Sequence, residues 1–159
     1  MKKISAFILS CLILFGANAV FAAPDTVGAD EAGDTYDLIS VTNPAYQQDS
    51  TFETAYVLEG HGLESTVVTL YWYDSANDVY RKVYDHGEGY DEAGNPITIY
   101  NEAVFTLGAS GQFKKSVELY SGLNSLLLYA ERDGMRQLVK LNITKYNYNF
   151  IDIIKSLTN

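Results

Sequence analysis

Cysteine is almost missing from this chain, and each scarcity narrows what the protein does. The only cysteine, Cys11, lies inside an N-terminal apolar run, so the rest of the chain has neither a disulfide nor a thiolate ligand or nucleophile. Histidine is nearly as scarce, with only His61 and His86. Neither has a second histidine at ligand spacing, and a zinc site needs three or four converging donors. Cations are outnumbered, eleven Lys and Arg against twenty Asp and Glu, for a formal net charge of −9. A chain of this sign is repelled by phosphate backbones and anionic lipid, which excludes nucleic acid and a membrane surface as expected partners. There is no Gly-x-Ser-x-Gly elbow for a nucleophilic serine. No apolar span follows the first one, and no Leu-Pro-x-Thr-Gly sorting motif appears.

What is present begins with an export signal. Lys2 and Lys3 precede an apolar and small-residue run, Ile4 to Phe15, and small residues then offer cleavage after Ala19 or after Ala22. The run is short for a membrane span, so residues 1–22 are read as a secretory signal peptide. Its removal takes Lys2, Lys3 and Cys11 with it, leaving nine cations against twenty anions and a formal charge of −11. The product is expected outside the cell, released or held non-covalently at its surface. Residues 23–35 are acidic and small, with Val27 the only sizeable apolar side chain. They are expected to form a flexible acidic leader, because they bring too little apolar surface to fold.

From Tyr36 onward the hydrophobic period is two, the period of strands. Leu38–Thr42 ends at the Asn43-Pro44 turn pair, and Phe52–Leu58 alternates up to the punctuating Gly60 and Gly62. Thr66–Tyr73 is the clearest strand, with one face Val68, Leu70, Trp72 and the other Val67, Thr69, Tyr71, Tyr73. Further strands are expected over Val79–Tyr84, Ile97–Tyr100, Ala103–Leu107, Gln112–Leu119, Ser125–Glu131 and Arg136–Thr144. The inward faces of the last three are Phe113, Val117, Leu119, then Leu126, Leu128, Ala130, then Val139, Leu141, Ile143. Residues 147–159 differ. Asn149 stands at a cap position, and Phe150, Ile153, Ile154 and Leu157 fall at helical spacing. A short amphipathic helix is expected there, docking on its own domain or self-associating through 149–157. With no helices between the strands, the class is an all-β sandwich of about seven to nine strands over residues 36–146.

Two segments resemble bacterial extracellular immunoglobulin-like (Big-type) domains. Residues Glu59–Leu70, EGHGLESTVVTL, are similar to that family's glycine turn leading through Ser/Thr-x-Val into an inner strand. Gly111-x-Phe113, Leu119-x-x-Gly122-x-Asn124 and Leu126-x-Leu128-x-Ala130-x-x-Asp133-Gly134 are similar to its last three strands. The resemblance spans Tyr36 to Tyr146 and implies an immunoglobulin-like sandwich. Such modules serve as spacers, adhesin stalks and accessory domains of secreted enzymes, so the implied role is interaction with an unidentified protein or polysaccharide, without catalysis.

Two surfaces stand out as candidate sites. Tyr71, Tyr73, Tyr80 and Tyr84 fall on paired strands, and aromatics on a solvent-facing sheet stack on sugar rings or anchor a partner. The alternative is that they are cross-strand pairs that stabilise the sheet, with Trp72 in the core. The glycine-rich stretch Asp85–Pro96 reads as a long loop that gathers Asp85, Glu88, Asp91, Glu92 and Asn95. Hard oxygens of this kind suit calcium, although the spacing is not that of an EF-hand, and a solvated acidic loop is the competing reading.

Overall fold

The computed structural model describes residues 23–147, and among these residues it is all-β, with twelve strands and no helix. The large sheet runs in the order β1 (Thr26–Gly28), β6 (Val79–Lys82), β5 (Val67–Asp74), β11 (Gly122–Arg132), β12 (Met135–Lys145), β3 (Gln48–Thr51). A short β9 (Val104–Thr106) pairs with the first half of β5 and lies end to end with β6. The smaller sheet is β10 (Gln112–Glu118), β4 (Ala55–Gly62), β2 (Ile39–Asn43). A separate two-stranded ribbon is formed by β7 (Tyr84–Tyr90) and β8 (Pro96–Glu102). All pairings are antiparallel except β3 with β12.

Side-chain alternation builds a sandwich-like core. Because successive residues of a strand point to opposite faces, β5 sends Val68 and Leu70 inward, beside Leu126, Leu128 and Ala130 of β11 and Val139, Leu141 and Ile143 of β12. The small sheet answers with Ile39, Tyr56, Leu58, Phe113 and Val117 in the same cluster. Leu58, Leu126, Leu128, Leu141 and Ile143 lose all contact with solvent, each worth about 1.5–3 kcal/mol relative to an exposed position. The nine inward residues read from the last three strands all lie in this cluster. Asp133-Gly134 closes the β11–β12 hairpin with both residues at positive φ, 51° and 76°, the conformation the right-handed strand twist selects. Gly60 does not interrupt its strand, β4, and Gly62 is the last residue of that strand. A side chain at Gly60 would strike the Phe113 ring and the Ser40 carbonyl. Gln137 ties the two sheets at one edge, its amide accepting from Ile39 N at 2.7 Å and donating to Ile39 O at 3.1 Å.

Two expectations are corrected. Residues 23–35 are not a loose leader. β1 adds to the outer edge of β6, and Val27 is buried on the large sheet's outer face with Tyr71, Tyr80, Leu127 and Tyr129. The segment borrows from the sheet the apolar surface that it lacks. Asp85–Pro96 is not an open loop either. It is most of the β7–β8 ribbon, which leaves the large sheet at Val83 and returns at the fully buried Ala103. At that junction Val83 N donates to Leu70 O, Ala103 N to Val83 O and Leu70 N to Ala103 O, at 2.8–3.0 Å. The expected C-terminal helix, and self-association through 149–157, lie outside the described residues.

Candidate functional site

Of the four candidate tyrosines, three come together and the fourth lies elsewhere. Tyr71 and Tyr73 share a face of β5, and Tyr80 of β6 pairs opposite Tyr73 with ring centroids 5.3 Å apart. That face is covered. Tyr71 is 0% exposed and Tyr80 7%, and the Tyr71 hydroxyl donates to Pro24 O of the N-terminal segment at 2.5 Å. Burial, then the neighbouring Tyr129 and the carboxylates Glu102, Asp25 and Glu131, raise the Tyr71 phenol well above its ordinary value, so it keeps the proton that it donates. Tyr73 donates to Asp78 Oδ1 at 2.8 Å, a bond that raises its phenol too. The expected exposed tyrosine face is therefore a second, smaller core.

Tyr84 belongs to a different surface. Where the β7–β8 ribbon leaves the large sheet it stands away from β10, and between them lies a groove of about 860 Å³. Leu70 and Trp72 of β5 and Val83 form its floor, Tyr84, Asp85 and His86 one wall, and Lys115 to Glu118 with Tyr120 the other. Tyr84 is 45% exposed and Tyr120 74%. Trp72, placed in the core from sequence, packs on the core only in part, and its ring meets Tyr120 edge-on with centroids 5.3 Å apart. Lys115 spans the groove to Asp85 at 2.6 Å. With both groups partly solvated this pair contributes about 0–1 kcal/mol.

Tyr120 is held by the turn that follows it. Asn124, 1% exposed, accepts from Tyr120 N at 2.8 Å and donates to the carbonyls of Tyr120, Gly122 and Ile143 at 2.8–3.1 Å. The sequence pattern Leu119-x-x-Gly122-x-Asn124 is thus a plug that fixes the backbone of an exposed aromatic. Tyr120, Lys115 and Glu118 escaped sequence reasoning because they lie outside the β5 aromatic run, on a strand and turn that only folding brings beside Trp72.

The two ends of the acidic stretch lie apart. Asp85 and Asp91 bracket an extended strand and stand about 20 Å apart at roughly 3.3 Å per residue. Asp85 pairs with Lys115. Asp91 is turned inward on the ribbon's own turn, accepting from Ala93 N at 2.9 Å, Asn95 N at 2.8 Å and Asn95 Nδ2 at 3.0 Å. The Asn95 bonds come first among the causes that hold the Asp91 carboxyl below its ordinary value. Glu88 pairs with Thr98 through the backbone, and Glu92 is exposed in the turn. Among the described residues no group of three or more His, Cys, Asp and Glu stands ready for a metal. His61 is an exposed residue of β4, paired with Ser40 and Gln112 on either side. His86 sits on β7 opposite Tyr100.

No protein-family model, no curated protein and no solved structure matches the chain.

Proposed function

We propose that this chain is a secreted, non-enzymatic immunoglobulin-like domain that acts in interaction at or outside the cell surface, with the groove beside the β7–β8 ribbon as its binding site. The immunoglobulin-like reading draws support from the sequence resemblance and from the split first strand. β2 lies in the small sheet, whereas β3 crosses to the large sheet and runs parallel to the last strand. The observation that carries the site is the joint presentation of Trp72, Tyr84 and Tyr120 along one open groove. Aromatic rings offer large contact area at low conformational cost, and the neighbouring Asp85, Lys115, Ser116 and Glu118 supply hydrogen bonds. Such a mixture of stacking faces and hydroxyl-bonding groups favours a neutral polysaccharide over a polyanion, which the negative chain repels. The tyrosine surface first singled out keeps only Tyr84 in this role.

The test is retention of the chain lacking residues 1–22 on immobilised neutral glycans. Tyr84→Ala and Tyr120→Ala should each weaken retention at least tenfold, since one stacked ring is worth about 1.5 kcal/mol or more. Tyr73→Phe, remote from the groove, should leave it unchanged. Equal retention of all four proteins would remove the groove from the reading. Turnover in a broad hydrolase screen would overturn the non-enzymatic role.

A further inference from the structure

Residues 23–34 lie across the outer face of the large sheet as a strap. Thr26, Val27 and Gly28 pair with Arg81, Tyr80 and Val79, and Val27, 1% exposed, fills a socket made by Tyr71, Tyr80, Leu127 and Tyr129. Three cations grip its length. Lys82 Nζ reaches Asp25 Oδ1 at 3.5 Å. Lys140 Nζ donates to Ala29 O at 2.7 Å and Glu31 O at 3.2 Å. Arg136 meets Glu31 Oε1 at 2.6 Å and Asp34 Oδ2 at 3.9 Å.

These are the parts by which a protein recognises an extended peptide: a sheet edge to pair with, an apolar socket for one side chain, and flanking charges that fix direction. The match of charge is specific, because cations are the scarce residues of this acidic chain and three of them face an acidic strap. The strap is joined to β2 only through the exposed residues 35–37, so its contacts are separable from the rest of the fold. We propose that this outer face is a strand-acceptor site, filled in cis by residues 23–34 and in trans by the same segment of a second copy. Exchange reproduces every strap contact. The balance between closed monomer and exchanged dimer is then set by the 35–37 link and by concentration, as for other swapped elements.

A charge-swapped pair of full-length mature chains tests this. Glu31→Arg faces its own Arg136, and Arg136→Glu faces its own Glu31, so each variant alone repels its strap in cis and in a homodimer. Only the mixed pair places opposite charges at both junctions. Light scattering at high concentration should show each variant as a monomer and their equimolar mixture as a one-to-one species of twice the mass. A mixture that stays monomeric, with both variants folded by circular dichroism, overturns the proposal. Dimers of equal extent in each variant alone also overturn it, since association would then lie elsewhere. Should a variant fail to fold, otherwise wild-type mature chains labelled with donor or acceptor dyes through Ala109→Cys, at an exposed turn position, replace the pair. Mixing them should produce energy transfer that excess free 23–34 peptide suppresses, and absence of transfer, or transfer the peptide does not suppress, counts against exchange.

Discussion

Asn124 shows how one buried polar side chain governs a surface residue. Its amide satisfies three carbonyls and one N–H around the β10–β11 turn, and without it the buried Ile143 carbonyl loses this partner. Asn124→Ala should destabilise the fold by about 1–3 kcal/mol, since it removes four hydrogen bonds of the turn and leaves one buried carbonyl short of a partner. Urea denaturation measures this, and loss of Tyr120 order should accompany it. Asp74 is a second residue with a checkable consequence. Hydrogen bonds from Arg81 at 2.6 Å and Asn77 at 2.7 Å hold its carboxyl down at about 2, against an ordinary 3.8. A carboxyl depressed on folding contributes stability in full above the unfolded value, and that contribution is lost as pH falls from about 4 toward 2. Side-chain carbonyl NMR should place the Asp74 midpoint near 2, and Arg81→Ala should move it toward 3.8. An unmoved midpoint would show that Arg81 is not the cause.

The β7–β8 ribbon is the element on which the site depends. A two-stranded ribbon is marginal alone in water, and this one keeps Ile97 and Ile99 exposed at 43% and 40%. Its far end is held by the Asp91 turn, with Gly94 at a φ of 82°, and its base by the backbone bonds among Leu70, Val83 and Ala103. Asp91→Ala removes the acceptor that organises the turn. Amide exchange within the ribbon should then quicken about fivefold, for a loss of about 1 kcal/mol, while exchange in β11 and β12 stays as it was. Equal acceleration throughout would mean that the ribbon opens only with the whole domain.

Over the whole molecule, what was legible follows from short-range rules. The strand period and the inward residues of β10, β11 and β12 need only neighbours along the chain. The acidic stretch after Tyr84 misled because its glycines signal turns, yet Gly87 and Gly89 sit in β7 opposite Ile99 and Ile97. The tyrosines misled for another reason. Alternation assigns them to the outer face of β5 but does not say what lies on that face, and the cover is Val27, more than forty residues earlier in the chain. The groove was invisible for the same cause, since Trp72, Tyr84 and Tyr120 belong to three separate stretches. By itself, then, the sequence determined the all-β class, the sidedness of its strands and the surplus of negative charge, all properties of local pattern or of composition. Only the tertiary structure decided which aromatic faces meet solvent, because exposure depends on which distant segment has folded over them.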